Sequence, residues 1–464
     1  MGFEIKELIE KRAGDNYRLH DEFMNQTLVK VLRTIGFDKI YHRAEGCYLY
    51  DKEDTPYLDF LSGYGVFNIG RNHPVLKKTI QDTLELDLPN MVQMDCALLS
   101  GLLAESLVKR THSGLEAAFF CNSGTEAVEG AIKFARAATG RSKIISLQGS
   151  YHGLTMGSLS ISWNNHFREG FGEFLPQIES IPRYDLNALE DHLKNEDVAA
   201  FIVELVQGKG VHYPRDDFFK QAEALCHRHG TLFVCDEVQS GMGRTGKLFA
   251  YEHWDLKPDI LTIAKALSGG YVPVAGFLTS RDIHQKVYSR LDRCVVHSTT
   301  FGRNNLAMAC GLATLHVLEE ENLSENALIR GNQLLERLEA LKEKYDIIKE
   351  VRGMGLMIAI EFQEPSDSLK LKLAWKAIHQ ADKGLFAQMI VSPLLEKHHI
   401  LSQVAGHQMD VVKILPPLIL GQKEIDHFLT AFEDSIQNVG KLTGPIWSFG
   451  ANLAKAALAS GYTR

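Results

Sequence analysis

Thr231-Leu232-Phe233-Val234-Cys235-Asp236-Glu237-Val238-Gln239 is an apolar, β-favouring run that ends on acidic residues. Without polar alternation it describes a strand buried on both faces, and such strands belong to parallel sheets covered by helices. Similar runs recur at residues 119–120, 143–147, 200–206 and 260–263, separated by segments of helical length. The fold expected is α/β, with a mostly parallel sheet in a large domain. Ligands of such sheets sit outside the carboxyl ends of strands, where Asp236 stands. Asp also ends many strands merely as a turn former, so alone it decides nothing.

Beyond the sheet pattern, residues 304–345 read as helical, with Leu306, Ala309, Cys310, Ala313, Val317 and Leu318 on one side, as expected of a long helix connecting two domains. Residues 351–360 read as a turn feeding a strand, and Ile425, Phe428, Leu429, Phe432 and Ile436 fall at helical spacing. The expected division is an N-terminal segment, 1–70, packing with the small domain; a large domain, 71–315; and a smaller α+β domain, 316–464. Residues 445–461, alanine-rich with Trp447 and Phe449, have the composition of a frayed tail or of a segment packed on an assembly.

The chain has 464 residues, 45% hydrophobic and 23% charged, which excludes general disorder. Fifty Lys and Arg against fifty-eight Asp and Glu give a net charge of −8, so nucleic acid and anionic membrane are not expected partners. Seven scattered cysteines without a Cys-x-x-Cys pair read as reduced thiols of a cytoplasmic protein. The N-terminus, Met1-Gly2-Phe3-Glu4-Ile5-Lys6, lacks the apolar run of a signal peptide, and no apolar stretch approaches the ~20 residues that span a bilayer. His398-His399 beside Glu396 suits a solvated helix end better than a metal site, because adjacent histidines do not converge on one ion.

Three stretches could carry chemistry. In Cys121-Asn122-Ser123-Gly124-Thr125-Glu126-Ala127, Ser123 and Glu126 form a capping-box pattern ahead of a helix, and Gly124 and Thr125 make its amide-rich start a phosphate cradle. A well-capped helix is the plainer reading. Asp236 is the second site. In residues 258–270 a strictly apolar strand delivers Lys265 among small residues; burying an ammonium unpaired is expensive, so such a lysine is either ion-paired or used as a nucleophile. Gly241-Met242-Gly243-Arg244-Thr245-Gly246 matches the dinucleotide fingerprint in form, but too few residues separate it from Pro258 to hold the crossover helix that the fingerprint must open. One requirement unites the three sites: pyridoxal 5'-phosphate needs a lysine for its aldehyde, a carboxylate for its pyridine nitrogen and a capped helix start for its phosphate.

From about Tyr48 to Leu420 the chain resembles the class III (ω-amino) aminotransferases of the aspartate-aminotransferase fold, or PLP fold type I. The likeness is carried by Leu58-Asp59-Phe60-Leu61-Ser62-Gly63-Tyr64-Gly65, the 122–127 cradle, Tyr151-His152-Gly153, Asp236-Glu237-Val238-Gln239, Lys265 and Thr299-Thr300-Phe301-Gly302. Residues 66–70 and 241–249 look most like putrescine and ornithine aminotransferases. The resemblance implies a homodimer in which Lys265 bonds the cofactor and moves protons, and Asp236 pairs with the pyridine nitrogen. It places Val238 and Tyr151 on the two ring faces, Gln239 at the ring hydroxyl, Ser123, Gly124 and Thr125 at the phosphate, and Thr300 reaching the partner's cofactor. Glu204 stands at an acidic position near the ring, and His152 reads as a packed histidine beside Tyr151, among the cofactor contacts but not a base.

Departures from the family pattern bear on substrate. Glu204-Leu205-Val206-Gln207-Gly208-Lys209 lacks a proline and has lysine for the second acid; Lys413 replaces an arginine that grips a carboxylate; Leu154 replaces another arginine; Arg303 and Asn305 replace Gly and Pro. Tyr64, Val66, Phe67 and Leu154 are expected to form an apolar wall, with Lys209 and Lys413 a positive site. The expected activity is an aminotransferase moving an amino group between a primary or terminal amine and a 2-oxo acid or aldehyde, with aliphatic amines favoured over α-amino acids. An aminomutase, racemase or decarboxylating transaminase would use the same cofactor contacts; a non-catalytic scaffold and a nicotinamide dehydrogenase are more distant alternatives.

Overall fold

In the computed structural model, which describes residues 2–366, 369–381 and 383–439, Leu232–Asp236 is the central strand of a seven-stranded sheet. Across the sheet the order is Ala117–Cys121, Ala275–Thr279, Ile260–Ile263, Leu232–Asp236, Val198–Val203, Lys143–Leu147 and Ile178–Ile181. Only Ala275–Thr279 runs antiparallel to its neighbours. The absence of polar alternation has its cause here. Ala200, Ile202 and Val234 face one hydrophobic cluster with Val128, Ala131 and Ile132 of helix Gly124–Thr139, whereas Phe201, Val203, Phe233 and Cys235 face another. Successive side chains point to opposite faces, so a strand covered on both needs apolar residues throughout.

An antiparallel four-stranded sheet contains Ile348–Met354, Met357–Phe362, Val411–Ile414 and Gln403–Val404. The segment expected to be a turn feeding one strand is thus a hairpin, turning at Gly355 with φ +55°. A third sheet joins Tyr41–Glu45, Tyr48–Asp51 and Pro56–Asp59 to Ile400–Leu401, which pairs parallel with Pro56–Asp59 and so knits the start of the chain to its C-terminal part. Helix Gln422–Val439 carries the expected apolar face of Ile425, Phe428, Leu429, Phe432 and Ile436. Residues 445–461 lie outside the described residues. Among the latter, no helix is long and apolar enough to cross a membrane.

The expected long connecting helix is in fact two, Asn305–Glu320 and Leu323–Lys344, broken at Asn322 in the left-handed region at φ +50°. Asn tolerates that conformation because its short polar side chain can bond locally, and the break redirects the second helix onto the 348–354 strand. Gly241–Gly246 opens no crossover helix; a short 3-10 turn, Ala250–His253, follows it. Its use is close packing. Leu356 N–H donates to the Arg244 carbonyl at 3.0 Å, and a Cβ on Gly355 would meet the Gly246 nitrogen at 2.8 Å.

Gly331 of helix Leu323–Lys344 sits against the same turn, where a Cβ would collide with the Gly355 carbonyl oxygen. Alanine is a better helix former by about 1 kcal/mol. Overpacking against backbone costs about 1–3 kcal/mol, so Gly331→Ala should lower thermal stability despite its helix propensity. A raised melting temperature in differential scanning calorimetry would show that this hairpin turn yields easily.

Candidate active site

Lys265 follows strand Ile260–Ile263 by two residues, on a backbone held at φ +43°. That left-handed conformation costs a non-glycine residue about 1–3 kcal/mol, and such strain concentrates at functional sites. It directs the side chain into a cavity of about 810 Å³ at the carboxyl ends of the central strands. Among the described residues no carboxylate or carbonyl is bonded to Lys265 Nζ. Burial lowers its pKa, opposed by the charges of Asp236 and Glu204. Of the two readings of a buried lysine, the ion-paired one therefore lacks its partner.

Asp236, 4% exposed, ends the central strand in the same cavity. Its Oδ2 accepts from His152 Nδ1 at 2.7 Å, and its Oδ1 from the Thr262 hydroxyl at 2.9 Å and the Val238 N–H at 3.2 Å. His152 is consequently more than the packed neighbour expected. It is buried and bonded to the carboxylate, and its other nitrogen, Nε2, has no hydrogen-bond partner among the described residues. Burial lowers the imidazole pKa, but the Asp236 bond and charge outweigh it, so the net shift is upward.

Ser123 caps helix Gly124–Thr139, its Oγ accepting from Glu126 N–H at 3.4 Å, while Glu126 Oε2 accepts from Asn122 N–H at 2.8 Å. The capping-box pattern is met only in part, since Glu126 reaches the Asn122 N–H and the Ser123 hydroxyl rather than the Ser123 N–H, but these bonds fix the helix start at the cavity edge. A Cβ on Gly124 would meet Val238 Cγ1 at 2.8 Å, so only glycine lets the first turn lie against Val238. Thr125 Oγ1 lies 2.5 Å from Ser158 Oγ, a second anchor for the same turn. Glu204, buried opposite, accepts from Tyr151 N–H and Gly208 N–H, each at 2.8 Å. Burial raises its pKa, opposed by His152 and these donors.

The cavity brings together Tyr64, Ser123, Gly124, Thr125, Tyr151, His152, Leu154, Glu204, Lys209, Asp236, Val238, Gln239, Lys265 and Lys413. Gln239 spans the pocket, donating to the Tyr64 carbonyl at 3.0 Å and accepting from Lys413 at 3.3 Å. Two expected residues lie elsewhere. Phe67 does not line the cavity, because its ring packs under the Arg71 guanidinium, 3.9 Å from the centroid, and against Gly270; Val66 takes the wall position. Thr300 is exposed outside the cavity, its carbonyl accepting from Gln93. Sequence reasoning missed Phe167, Tyr271 and Gln403. Only Tyr271 carried a signal, the Gly269-Gly270 pair that turns the chain back after Lys265.

The histidine pair at 398–399 divides between partners: His398 bonds Asp434 at 2.9 Å, and the His399 ring lies 4.8 Å from that of Tyr57. Among the described residues no group of three or more His, Cys, Asp or Glu could hold a metal ion. What the cavity fits is pyridoxal 5'-phosphate. It holds an unpaired lysine for an aldehyde, an oriented buried carboxylate for a ring nitrogen, a capped helix start that admits no Cβ for a phosphate, and Val238 and Tyr151 for the ring faces.

Comparison with known proteins agrees. The class-III aminotransferase family model matches residues 35–436. An aminotransferase, PigE, of Serratia sp. is 32% identical over 90% of this chain, which spans only 53% of that protein. The acetylornithine aminotransferase of Bacillus cereus is 37% identical over 85% of this chain and 92% of its own length. The ornithine aminotransferase of Toxoplasma gondii superposes with a TM-score of 0.82 at 28% identity, over 95% of this chain and 100% of that one. With the family's span covering both sheets that frame the cavity, the chain belongs to the class III aminotransferases, PLP-dependent enzymes of fold type I.

Proposed function

We propose that this protein moves an amino group between a primary or terminal amine and a 2-oxo acid or aldehyde, and that it works as a cytoplasmic homodimer. The observation that carries this reading is Lys265, unpaired on a strained turn in the cavity that also holds the Asp236–His152 pair. When bound, the cofactor supplies an electron sink for the carbon bearing the amino group. The remaining work belongs to the chain. Burial favours the neutral amine of Lys265, so Nζ would hold the cofactor's aldehyde and is placed to move a proton at the reacting carbon. Asp236, oriented by His152 and Thr262, would hold the ring nitrogen of the cofactor. Ser123, Gly124 and Thr125 would hold the phosphate, Val238 and Tyr151 would enclose the ring, and Gln239 and Glu204 would lie near it. Thr300, exposed on this subunit, contributes to the partner's phosphate site.

The same reading assigns residues 71–315 to the large domain, with 1–70 and 316–464 around the smaller one; the strand pairing of Pro56–Asp59 with Ile400–Leu401 supports that grouping. Seven free thiols, five of them buried, support a reducing compartment. Tyr64, Val66 and Leu154 at the cavity wall suit an aliphatic amine without an α-carboxylate.

A matrix of amines, α-amino acids, aldehydes and 2-oxo acids tests the activity. Each productive pair should yield a carbonyl compound from the donor and an amine from the acceptor, with aliphatic amines the better donors. Return of an isomer of a single substrate would instead indicate a mutase or racemase. Lys265→Ala should abolish the visible absorbance of covalently held cofactor and lower turnover by about 10²–10⁴-fold or more; an unchanged spectrum would remove Lys265 from its role. Because the cofactor would be shared across the interface, stripping it should weaken the dimer, as sedimentation velocity at assay concentration would reveal. A fully active monomer there would contradict the role given to Thr300.

A further inference from the structure

Position 209 holds a lysine where the family pattern has an acid, and the structure gives that lysine an unusual seat. Its ammonium lies over two aromatic rings, 5.2 Å from the Tyr151 centroid and 5.5 Å from that of Phe167, at the wall of the cavity. Among the described residues it has no carboxylate partner and no hydrogen-bond acceptor. Lys413 is placed differently. It is buried on strand Val411–Ile414, and its Nζ donates to the Gly208 carbonyl at 2.7 Å and to Gln239 Oε1 at 3.3 Å. Burial, with the nearby charges of Lys209 and Lys265, lowers its pKa to about 7, so at neutral pH it carries only part of a charge. Gly208 is held from both sides, its carbonyl by Lys413 and its N–H by Glu204 Oε1 at 2.8 Å, and the next residue is Lys209.

We propose that Lys209 is the specificity-determining cation of the pocket, receiving a carboxylate of the acceptor, and that Lys413 is a positioning residue that fixes Lys209 through the Gly208 peptide. This rests on the transamination reading, since a 2-oxo acid is the anionic partner. Aromatic faces hold an ammonium without using its N–H groups, so the three donors of Lys209 remain available to a carboxylate. Among the described residues no acid bonds them: Glu204 acts on Lys209 only through its charge, its oxygens accepting from the Tyr151 and Gly208 amides, so the pocket reads negative charge in every half-reaction. The substrate class is therefore an oxo acid whose carboxylate lies on the Tyr151–Phe167 side; a neutral carbonyl compound of the same length gains nothing there.

The test is calorimetric titration of the holoenzyme with glutarate, an unreactive dicarboxylate, beside its neutral diamide, with the visible spectrum checking cofactor loading. Lys209→Met should weaken glutarate binding about 10- to 100-fold, the range of one charge-assisted hydrogen bond, without affecting the weaker diamide, and should raise the 2-oxo acid KM more than it lowers kcat. Lys209→Arg should retain most of the affinity, and it keeps the question answerable if the Met variant fails to fold. Lys413→Met should cost less than Lys209→Met. Equal glutarate affinity in wild type and Lys209→Met, or a larger loss in Lys413→Met, would overturn the assignment to Lys209 and leave transamination standing. Failure of the wild type to bind glutarate while it aminates neutral aldehydes would instead overturn the oxo-acid acceptor itself.

Discussion

The buried carboxylate of Asp236 is the constraint around which the rest is arranged. Removing an ionised carboxylate from water is costly unless its lone pairs are satisfied, and here His152, Thr262 and the Val238 amide satisfy them from three different segments. Each of those bonds also fixes a wall. His152 brings Tyr151 and Gly153 to the cavity, Thr262 sets the register of the strand that leads to Lys265, and Val238 lies where the Gly124 turn must pass. The stabilisation of one charge thus sets the distances among a lysine, a carboxylate and a helix start that lie far apart in the chain.

A second buried charge holds the smaller sheet against the larger. Arg244 is fully buried and donates to the carbonyls of Leu356 and Pro416 and to Asn68 Oδ1, while Asn68 Nδ2 donates to the Met242 carbonyl at 2.7 Å. Burial lowers its pKa to about 9, with the charge of Asp59 opposing that shift. These bonds gather the 64–68 loop, the glycine-rich 241–246 segment, the 354–357 turn and the end of strand Val411–Ile414. They account for a motif that superficially announces a dinucleotide. Its glycines permit backbone-to-backbone approach, and its arginine ties the 64–68 loop to the 354–357 turn and to Pro416.

Lys209 and Lys413 show how two local changes alter a pocket without altering its fold. An acid at 209 facing an arginine at 413 would form a self-neutralising pair; two lysines cannot. The structure resolves the repulsion by spending Lys413 on a carbonyl and an amide and seating Lys209 on aromatic rings. Burial depresses both ammonium groups, and at Lys413 the nearby charges of Lys209 and Lys265 add to it, which limits the positive charge the cavity stores.

Local pattern was enough to read the parallel sheet, the capped helix at Ser123, and the strand-end placement of Asp236 and Lys265, because period, caps and strand ends are set by neighbouring residues. The break at Asn322 escaped that reading because the helical spacing runs on across it, and the hairpin at Gly355 because its turn gains its advantage from packing against the distant backbone of residues 244–246. So did the departure of Phe67 from the cavity, which follows from Arg71 and Gly270, and the bond between His152 and Asp236, 84 positions apart. The sequence by itself determined the lysine, the carboxylate and the capped helix start of the pocket and on which elements they ride. The tertiary structure alone decided which of them touch, because burial energies, hydrogen-bond partners and the effect of Lys209 on the charge of Lys413 depend on distances that no local spacing encodes.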